Sequence, residues 1–388
     1  VAGVNNAYFN TSGGTPADQN EWLEALLPWT ARSGNDASIA QLADSRAYSQ
    51  KYRIRAEGTR DLGDILDSPI SPIGDSIGGR QEFLVTAAND GMVHLFQSDA
   101  LESATHPYDL KLSYIPAGMQ RGGAENGGTT LAATLKELAH PDYGQNSTYP
   151  HRYMVNGGFT LRRTPALTTS GAAAKGQQIF MVGAMGQGGR GAYALNIGGR
   201  NRTTGTPLGL NSASTQWASE VPLFETAKGT ANTLGYTIGT PQIGRVSLAR
   251  TDGTVDLNNN IRYAAFLASG FRNPADSTTT QETALYIYDA LAQEAGSGAN
   301  LGTEKGRLIR KITVNDGIGG LSSPTVVDIN NDGVADSVYA GDYGGNMYRF
   351  DLRGDTPTDW SVSKIYAGKT SQPITAAPAI SRREANKY

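Results

Sequence analysis

One order of short segments recurs along the chain, and such a repeat constrains the architecture more tightly than any single motif. Each unit opens with a small residue and a proline: Ser68-Pro69-Ile70, Thr164-Pro165-Ala166, Thr240-Pro241-Gln242-Ile243, Ser323-Pro324-Thr325-Val326-Val327 and Ala377-Pro378-Ala379-Ile380. An apolar segment ending in small residues follows, at Phe83 to Ala88, Ile179 to Gly183, Tyr263 to Gly270 and Ser337 to Gly341. After a Gly/Asn turn comes an aromatic segment alternating with period two: Met92 to Phe96, Ala192 to Leu195, Ala284 to Tyr288 and Asn346 to Phe350. That period belongs to strands, because successive side chains point to opposite faces. A more polar stretch closes each unit, at Lys111 to Ile115, Val221 to Phe224, Arg307 to Thr313 and Ser361 to Tyr366. Four strands per unit make a propeller blade. The sequence therefore predicts an all-β, modified β-propeller with four-stranded blades, seven of them, and decorated loops.

Composition agrees with that class. The 48 glycines and only 18% charged residues favour a turn-rich β fold over long surface helices. Long insertions fall between about Gly122 and Pro150 and between Gly198 and Thr215, where loops decorate the blades. Before the first unit, Asp18 is placed to cap a short helix through Glu21 to Leu27, with Pro28 expected to stop it. Residues 1–55 are thus expected to form an N-terminal segment packed on the propeller, and residues 56–388 the propeller itself, its last unit breaking off near Tyr388.

A net charge of -3 supplies no basic footprint for nucleic acid or anionic membranes. The lack of cysteine removes thiol catalysis, zinc-thiolate sites and disulfides together. No run of about 18 apolar residues is present, so no transmembrane helix is expected, and the polar start at Val1 carries no signal peptide.

The sharpest local signal is Asp328-Ile329-Asn330-Asn331-Asp332-Gly333-Val334-Ala335-Asp336, with oxygen-bearing side chains at positions 1, 3, 5 and 9 and glycine at 6. Calcium is a hard cation that takes about six to eight oxygens, alternate residues of a tight loop can point inward, and a glycine at 6 allows the sharp turn. The expected ligands are Asp328, Asn330, Asp332, Asp336 and the backbone oxygen of Val334. An EF-hand would carry a bidentate Glu at position 12, where Tyr339 stands, so Asp336 has to close the cage. The flanks are strands, as in the calcium hairpins of integrin-type propellers. The matching place in the preceding unit reads Asp252-Gly253-Thr254-Val255-Asp256 but puts Leu248 and Arg250 at positions 1 and 3, and no calcium is expected there.

Other motifs are weaker. The histidines, His94, His106, His140 and His151, show no metal spacing and fit structural roles, and no nucleophile triad can be named. The Gly-rich run Gly183 to Gly191 joins two strands instead of opening a helix, so it is a hairpin turn and not a phosphate cradle. Gly368-Lys369-Thr370 lacks the upstream glycine of a P-loop. Arg353-Gly354-Asp355 follows the strand ending at Leu352 and could present a guanidinium and a carboxylate to an integrin-like host-cell receptor, although a tripeptide is short enough to arise by chance.

Several stretches carry a family likeness: Leu62 to Pro69, Ala88-Asn89-Asp90-Gly91-Met92-Val93-His94, Leu112 to Ala117, Gly183 to Leu195, Leu234 to Pro241, and Gly320 through Leu352 with the whole acidic loop. Over residues 55 to 380 the chain resembles the C-terminal domain of the type IV pilus PilC/PilY proteins, most nearly the neisserial PilC branch. The resemblance implies a quinoprotein-like propeller that is extracellular, at the pilus tip or outer membrane, with pilins or the assembly machinery as partners. It also implies promotion of pilus assembly, opposition to ATPase-driven retraction, support of adhesion and twitching motility, regulation by calcium, and no enzymatic activity. The competing expectation is a quinone-dependent dehydrogenase on the same propeller type. Against it, the acidic loop lies within a blade hairpin, and the tryptophans at 22, 29, 217 and 360 follow no docking repeat.

Overall fold

Strand pairing follows the repeat. The computed structural model describes residues 21–46, 48–55, 62–74, 81–98, 108–119, 131–165, 177–201, 204–226, 233–257, 260–272, 281–291 and 305–381. The first antiparallel sheet holds β1 (Ser71–Ile73), β2 (Phe83–Ala88), β3 (Met92–Ser98) and β4 (Tyr108–Tyr114) in sequence order. The second holds β5 (Phe159–Arg163), β6 (Gln178–Ala184), β7 (Ala192–Gly199) and β8 (Pro222–Glu225). The third starts with β9 (Gln242–Ser247), detours through a separate hairpin of β10 (Arg250–Thr251) and β11 (Thr254–Val255), and continues with β12 (Ile261–Ala268), β13 (Ala284–Asp289) and β14 (Leu308–Thr313). The fourth holds β15 (Thr325–Val327), β16 (Ser337–Gly341), β17 (Met347–Asp351) and β18 (Ser361–Tyr366).

The middle strands of each sheet are apolar and buried while the outer strand is polar, so apolar surface concentrates between neighbouring sheets. One core joins the N-terminal helices to the first two sheets through Trp29, Phe83, Leu95, Phe159 and Leu195. A second lies between the second and third sheets, where Phe180 meets Tyr263 edge-on at 5.8 Å. A third packs Phe266 and Leu285 of the third sheet against Val338 and Phe350 of the fourth. Full burial of each such side chain contributes about 1.5–3 kcal/mol. Each four-stranded sheet also carries a register shift between its third and fourth strands, at Leu95/Phe96, Ala194/Leu195, Ile287/Tyr288 and Met347/Tyr348. Such bulges increase the local twist.

Successive blades are tied by the turn between second and third strands, which grips the lead-in segment of the next repeat. Asn89 Oδ1 accepts from Met154 N–H at 3.0 Å, and Gly186 N–H donates to Thr237 O at 3.1 Å. Gly270 forms a single bridge with Leu321, and Ile374 N–H donates to Asp342 O at 3.0 Å. The fifth repeat opening is held in the same manner: Thr325 Oγ1 donates to Pro378 O at 2.7 Å, just as Thr160 Oγ1 donates to Pro241 O at 2.6 Å.

Four expectations need correction. Among the described residues there are four four-stranded sheets, not seven, and the stretch from Ala377 to Ile380 forms no strand. Thr164-Pro165 does not open the second blade; β5 precedes it, and Thr164 instead ends that strand by bonding Gln178 through its N–H and its hydroxyl. Pro28 does not stop the first helix. A π-helical turn over Trp22–Leu26 runs directly into α1 (Leu27–Ala31), and the proline, which has no N–H to donate, sits in the first turn of α1 just past that wider turn. The helix ends at Arg32, in the left-handed region at φ 55°. Asp18 lies outside the described residues.

Two further helices appear, α2 (Asp36–Ser45), capped by Asn35 through Ser38 N–H, and α3 (Leu131–Ala139) inside the first insertion. Leu135 and Leu138 turn one face of α3 into the core shared with Trp29. A short turn, α4 (Trp217–Glu220), follows the second insertion. No helix among the described residues is long and apolar enough to cross a membrane.

Candidate metal centre

The acidic segment joins β15 to β16, the first two strands of the fourth sheet. Val327 and Ser337 pair across its base, and Asp336 N–H donates to Val327 O at 2.9 Å. Within that clamp the chain makes its turn with Asn331 at φ 59° and Gly333 at φ 85°. Asn tolerates the left-handed region, and glycine adopts it without steric cost. The Val334 side chain is fully buried, which anchors the backbone whose carbonyl is the expected seventh-position donor.

Every expected side-chain ligand bends back into the loop. Asp328 accepts from Asp332 N–H at 3.2 Å and Gly333 N–H at 2.6 Å, and Asn330 Oδ1 from Asp332 N–H at 3.1 Å. Asp332 Oδ1 accepts from Val334 N–H at 2.8 Å, and Asp336 Oδ2 from Ile329 N–H at 2.9 Å. These bonds curl the segment so that Asp328, Asn330, Asp332 and Asp336 belong to one turn. Among the described residues no group of three acidic or histidine side chains is gathered tightly enough to hold a metal. A cage here needs the Asn330 amide and Val334 carbonyl oxygens as well, and it needs the carboxylates to swing from their N–H partners toward a common centre. The donors are all hard oxygens in the order a calcium loop uses, and the residues fit that ion in kind.

The neighbouring blade reaches into this loop, a contact no local pattern announces. Arg245 of β9 donates from Nε to Gly333 O at 2.7 Å, and its own carbonyl accepts from Ala335 N–H at 2.8 Å. Arg250, at the start of the β10–β11 hairpin, points its Nη2 at Asp336 Oδ1 from 3.3 Å. That hairpin turns through Asp252 at φ 50° and Gly253 at φ 73°, a tight two-residue reversal where the fourth sheet has its nine-residue loop.

Arg353, Gly354 and Asp355 border the same region. Arg353 closes on Asp351 through two bonds, Nε to Oδ1 at 3.0 Å and Nη2 to Oδ2 at 2.5 Å, and these hold the Asp351 carboxyl below its usual range. The Asp355 carbonyl accepts from Arg250 N–H at 2.8 Å. A receptor carboxylate seeking Arg353 therefore competes with Asp351. A cavity of about 490 Å³ separates these residues from the acidic loop, lined by Arg250, Asn330, Asp336, Asp351 and Arg353.

The family model described as the PilY1 beta-propeller domain matches residues 62–388. The chain belongs to the PilY1 β-propeller family. It is 28% identical over 295 residues to a type IV pilus biogenesis factor PilY1 homolog of Xylella fastidiosa, covering 73% of this chain and 15% of that protein. Against the type IV pilus biogenesis factor PilY1 of Pseudomonas aeruginosa it is 25% identical over 359 residues, covering 83% of this chain and 24% of that protein. The crystal structure of the Pseudomonas aeruginosa PilY1 C-terminal domain aligns over 79% of this chain and 50% of its own, at 23% identity and a TM-score of 0.45. The chain thus spans less than a third of either full-length relative.

These PilY1 relatives carry the names of biogenesis factors, not of enzymes. One triad-like line does occur among the described residues: Ser113 Oγ, His94 and Asp90 lie in sequence, with 2.9 Å to His94 Nδ1 and 2.9 Å from its Nε2 to Asp90. His94 is fully buried and Asp90 is also bonded by Arg32, Gly63 N–H and Met92 N–H, so the group braces the first blade. His140 stacks on Tyr149, and His151 pairs with Asp64 beside a cavity of about 970 Å³ lined by Trp29, Arg53, Arg55 and Tyr143. His106 lies outside the described residues.

Proposed function

We propose that this chain is a calcium-binding, non-enzymatic part of a type IV pilus-associated protein that promotes pilus assembly, counteracts retraction, and supports adhesion and twitching motility. Its place is extracellular, at the pilus tip or outer membrane, and its partners are pilins or the assembly machinery. The observation that carries the calcium reading is the Asp328–Asp336 turn, clamped at its base by β15 and β16 and on its side by Arg245. The pilus reading is supported by the family membership and by the names of the relatives.

Three carboxylates in one turn repel one another, and a bound calcium ion would neutralise them. Asp328, Asn330, Asp332 and Asp336, with the Val334 carbonyl, would hold it. The Asp328 and Asp336 carboxylates, next to β15 and β16, would then tie Asp332 at the centre of the turn to both strands, and the turn of the fourth blade would stiffen. Rigidity of this turn is the lever by which occupancy alters what the surface can engage.

The test is a count of surface pili in cells carrying Asp332→Ala, with and without the retraction motor. Fewer pili are expected when the motor is present and a restored number when it is deleted. An unchanged count with the motor present, or calorimetric calcium binding in purified Asp332→Ala equal to that of the parent chain, would sink the reading.

A further inference from the structure

The loops that meet between the third and fourth sheets are unequal, and the poorer one supplies a charge to the richer. Arg250 stands where a calcium loop would carry a ligand, and its guanidinium leaves its own hairpin to face Asp336. Both side chains are 3% exposed. The contact is a single 3.3 Å approach from Nη2, not a two-pronged fork, and the buried Nε has no hydrogen-bond partner. The guanidinium also borders the cavity lined by Asn330 and Asp336. A buried cation with an idle donor, beside the carboxylate that closes the turn and next to open space, is placed to shift.

We propose that Arg250 is a built-in counter-ion of the calcium loop: it holds Asp336 when no cation is bound, lowers calcium affinity by repelling the ion, and loosens with its hairpin when calcium enters. The inference rests on the calcium reading of Asp328–Asp336. Two opposed effects decide its sign. The Arg250 bond preorganises Asp336, but Asp336 is already held by Ile329 N–H and by its own backbone bond to Val327, so that gain is small. The repulsion is the larger effect, because an ion ligated by Asp336 at the usual ~2.3–2.6 Å carries two charges and stands close to a guanidinium that water screens poorly. The third blade is thereby coupled to the occupancy of the fourth. Its hairpin is secured while the site is empty and released when it fills.

The experiment uses the full chain with Arg250→Gln, which keeps a donor and removes the charge, and Arg250→Lys, which keeps the charge. Calorimetric titration with calcium chloride is expected to show Arg250→Gln binding roughly tenfold tighter or more, and Arg250→Lys staying within about threefold of the parent chain. Hydrogen exchange at residues 250–255 is expected to speed up on calcium addition in the parent chain. In Arg250→Gln those amides exchange quickly from the start and respond little. If the parent chain binds calcium and Arg250→Gln binds it equally or more weakly, the counter-ion role is overturned while the calcium loop stands. If the parent chain binds no calcium and Asp332→Ala changes nothing, the loop reading falls and takes this one with it. Arg250→Lys guards against misfolding, since a charge-preserving variant that tightened binding as much as Arg250→Gln would also overturn the proposal.

Discussion

Asp336→Ala is expected to destabilise the chain by about 3–5 kcal/mol in calcium-free buffer, far more than loss of one surface ion pair. The buried carboxylate compensates Arg250 and accepts from Ile329 N–H, so its removal leaves a buried guanidinium without its counter-charge and takes an acceptor from the turn. Asp336→Asn keeps an oxygen for Ile329 and should fall between the two. Asp332→Ala, by contrast, removes a half-buried side chain whose bonds are local to the turn, and should cost about 1 kcal/mol without calcium. Excess calcium should widen the gap between the parent chain and both alanine variants, because an ion at about 100 times its dissociation constant adds about 2.7 kcal/mol to a chain that binds it. Urea unfolding with and without calcium reads all four values. A loss below about 1 kcal/mol for Asp336→Ala in chelator would show that the Arg250 contact is idle.

The second large effect is expected at the opposite end of the chain. Asp90→Ala should cost about 3–5 kcal/mol, because Asp90 is buried and accepts from Arg32, His94, Gly63 N–H and Met92 N–H at once. Arg32 terminates α1, so this carboxylate fastens the N-terminal helices to the first blade. Its titration adds a pH dependence with a definite sign. Burial alone would raise the Asp90 pKa, but the His94 hydrogen bond, the charges of His94 and Arg32, and Gly63 N–H outweigh it and hold the group below its ordinary value. A depressed carboxylate contributes stability that is complete above its unfolded pKa of ~3.9 and is lost as pH falls through the lower folded value. Asp36, lowered in the same way against burial by its Arg55 partner, adds to the trend. Acid should therefore loosen the helices, and the emission of buried Trp29 should report it as pH falls below about 4. Asp90→Asn should flatten that change; an identical acid profile in the two proteins would assign the loosening to other groups.

The parts of the fold legible in the sequence are those whose information is local. Strands such as β2, β3, β16 and β18 can be read because apolar residues alternate within a few positions and a Gly/Asn turn separates the partners. First strands are harder. β5 is Phe-Thr-Leu-Arg-Arg, half exposed, and the Thr164-Pro165 signal next to it marks an end and not a start. The α3 helix hides in an insertion although Leu131, Leu135 and Leu138 have helical spacing, and Pro28 misleads because a π turn precedes it. The acidic loop is visible for the same reason as the hairpins, since all its donors fall within nine residues. Arg245 and Arg250 lie 88 and 86 residues from their contacts on that loop, and only the stacking of blades brings them there.

The grip of each turn on the following lead-in segment gives the propeller a direction. Asn89 receives Met154, Gly186 receives Thr237, Gly270 receives Leu321 and Asp342 receives Ile374, always with the receiving turn earlier in the chain. A polypeptide that emerges N-terminus first, from a ribosome or across a membrane, thus completes each docking site before the segment that fills it arrives. Blades can then be laid down one upon another in the order of their synthesis, each finished turn standing open only until the segment that follows it arrives.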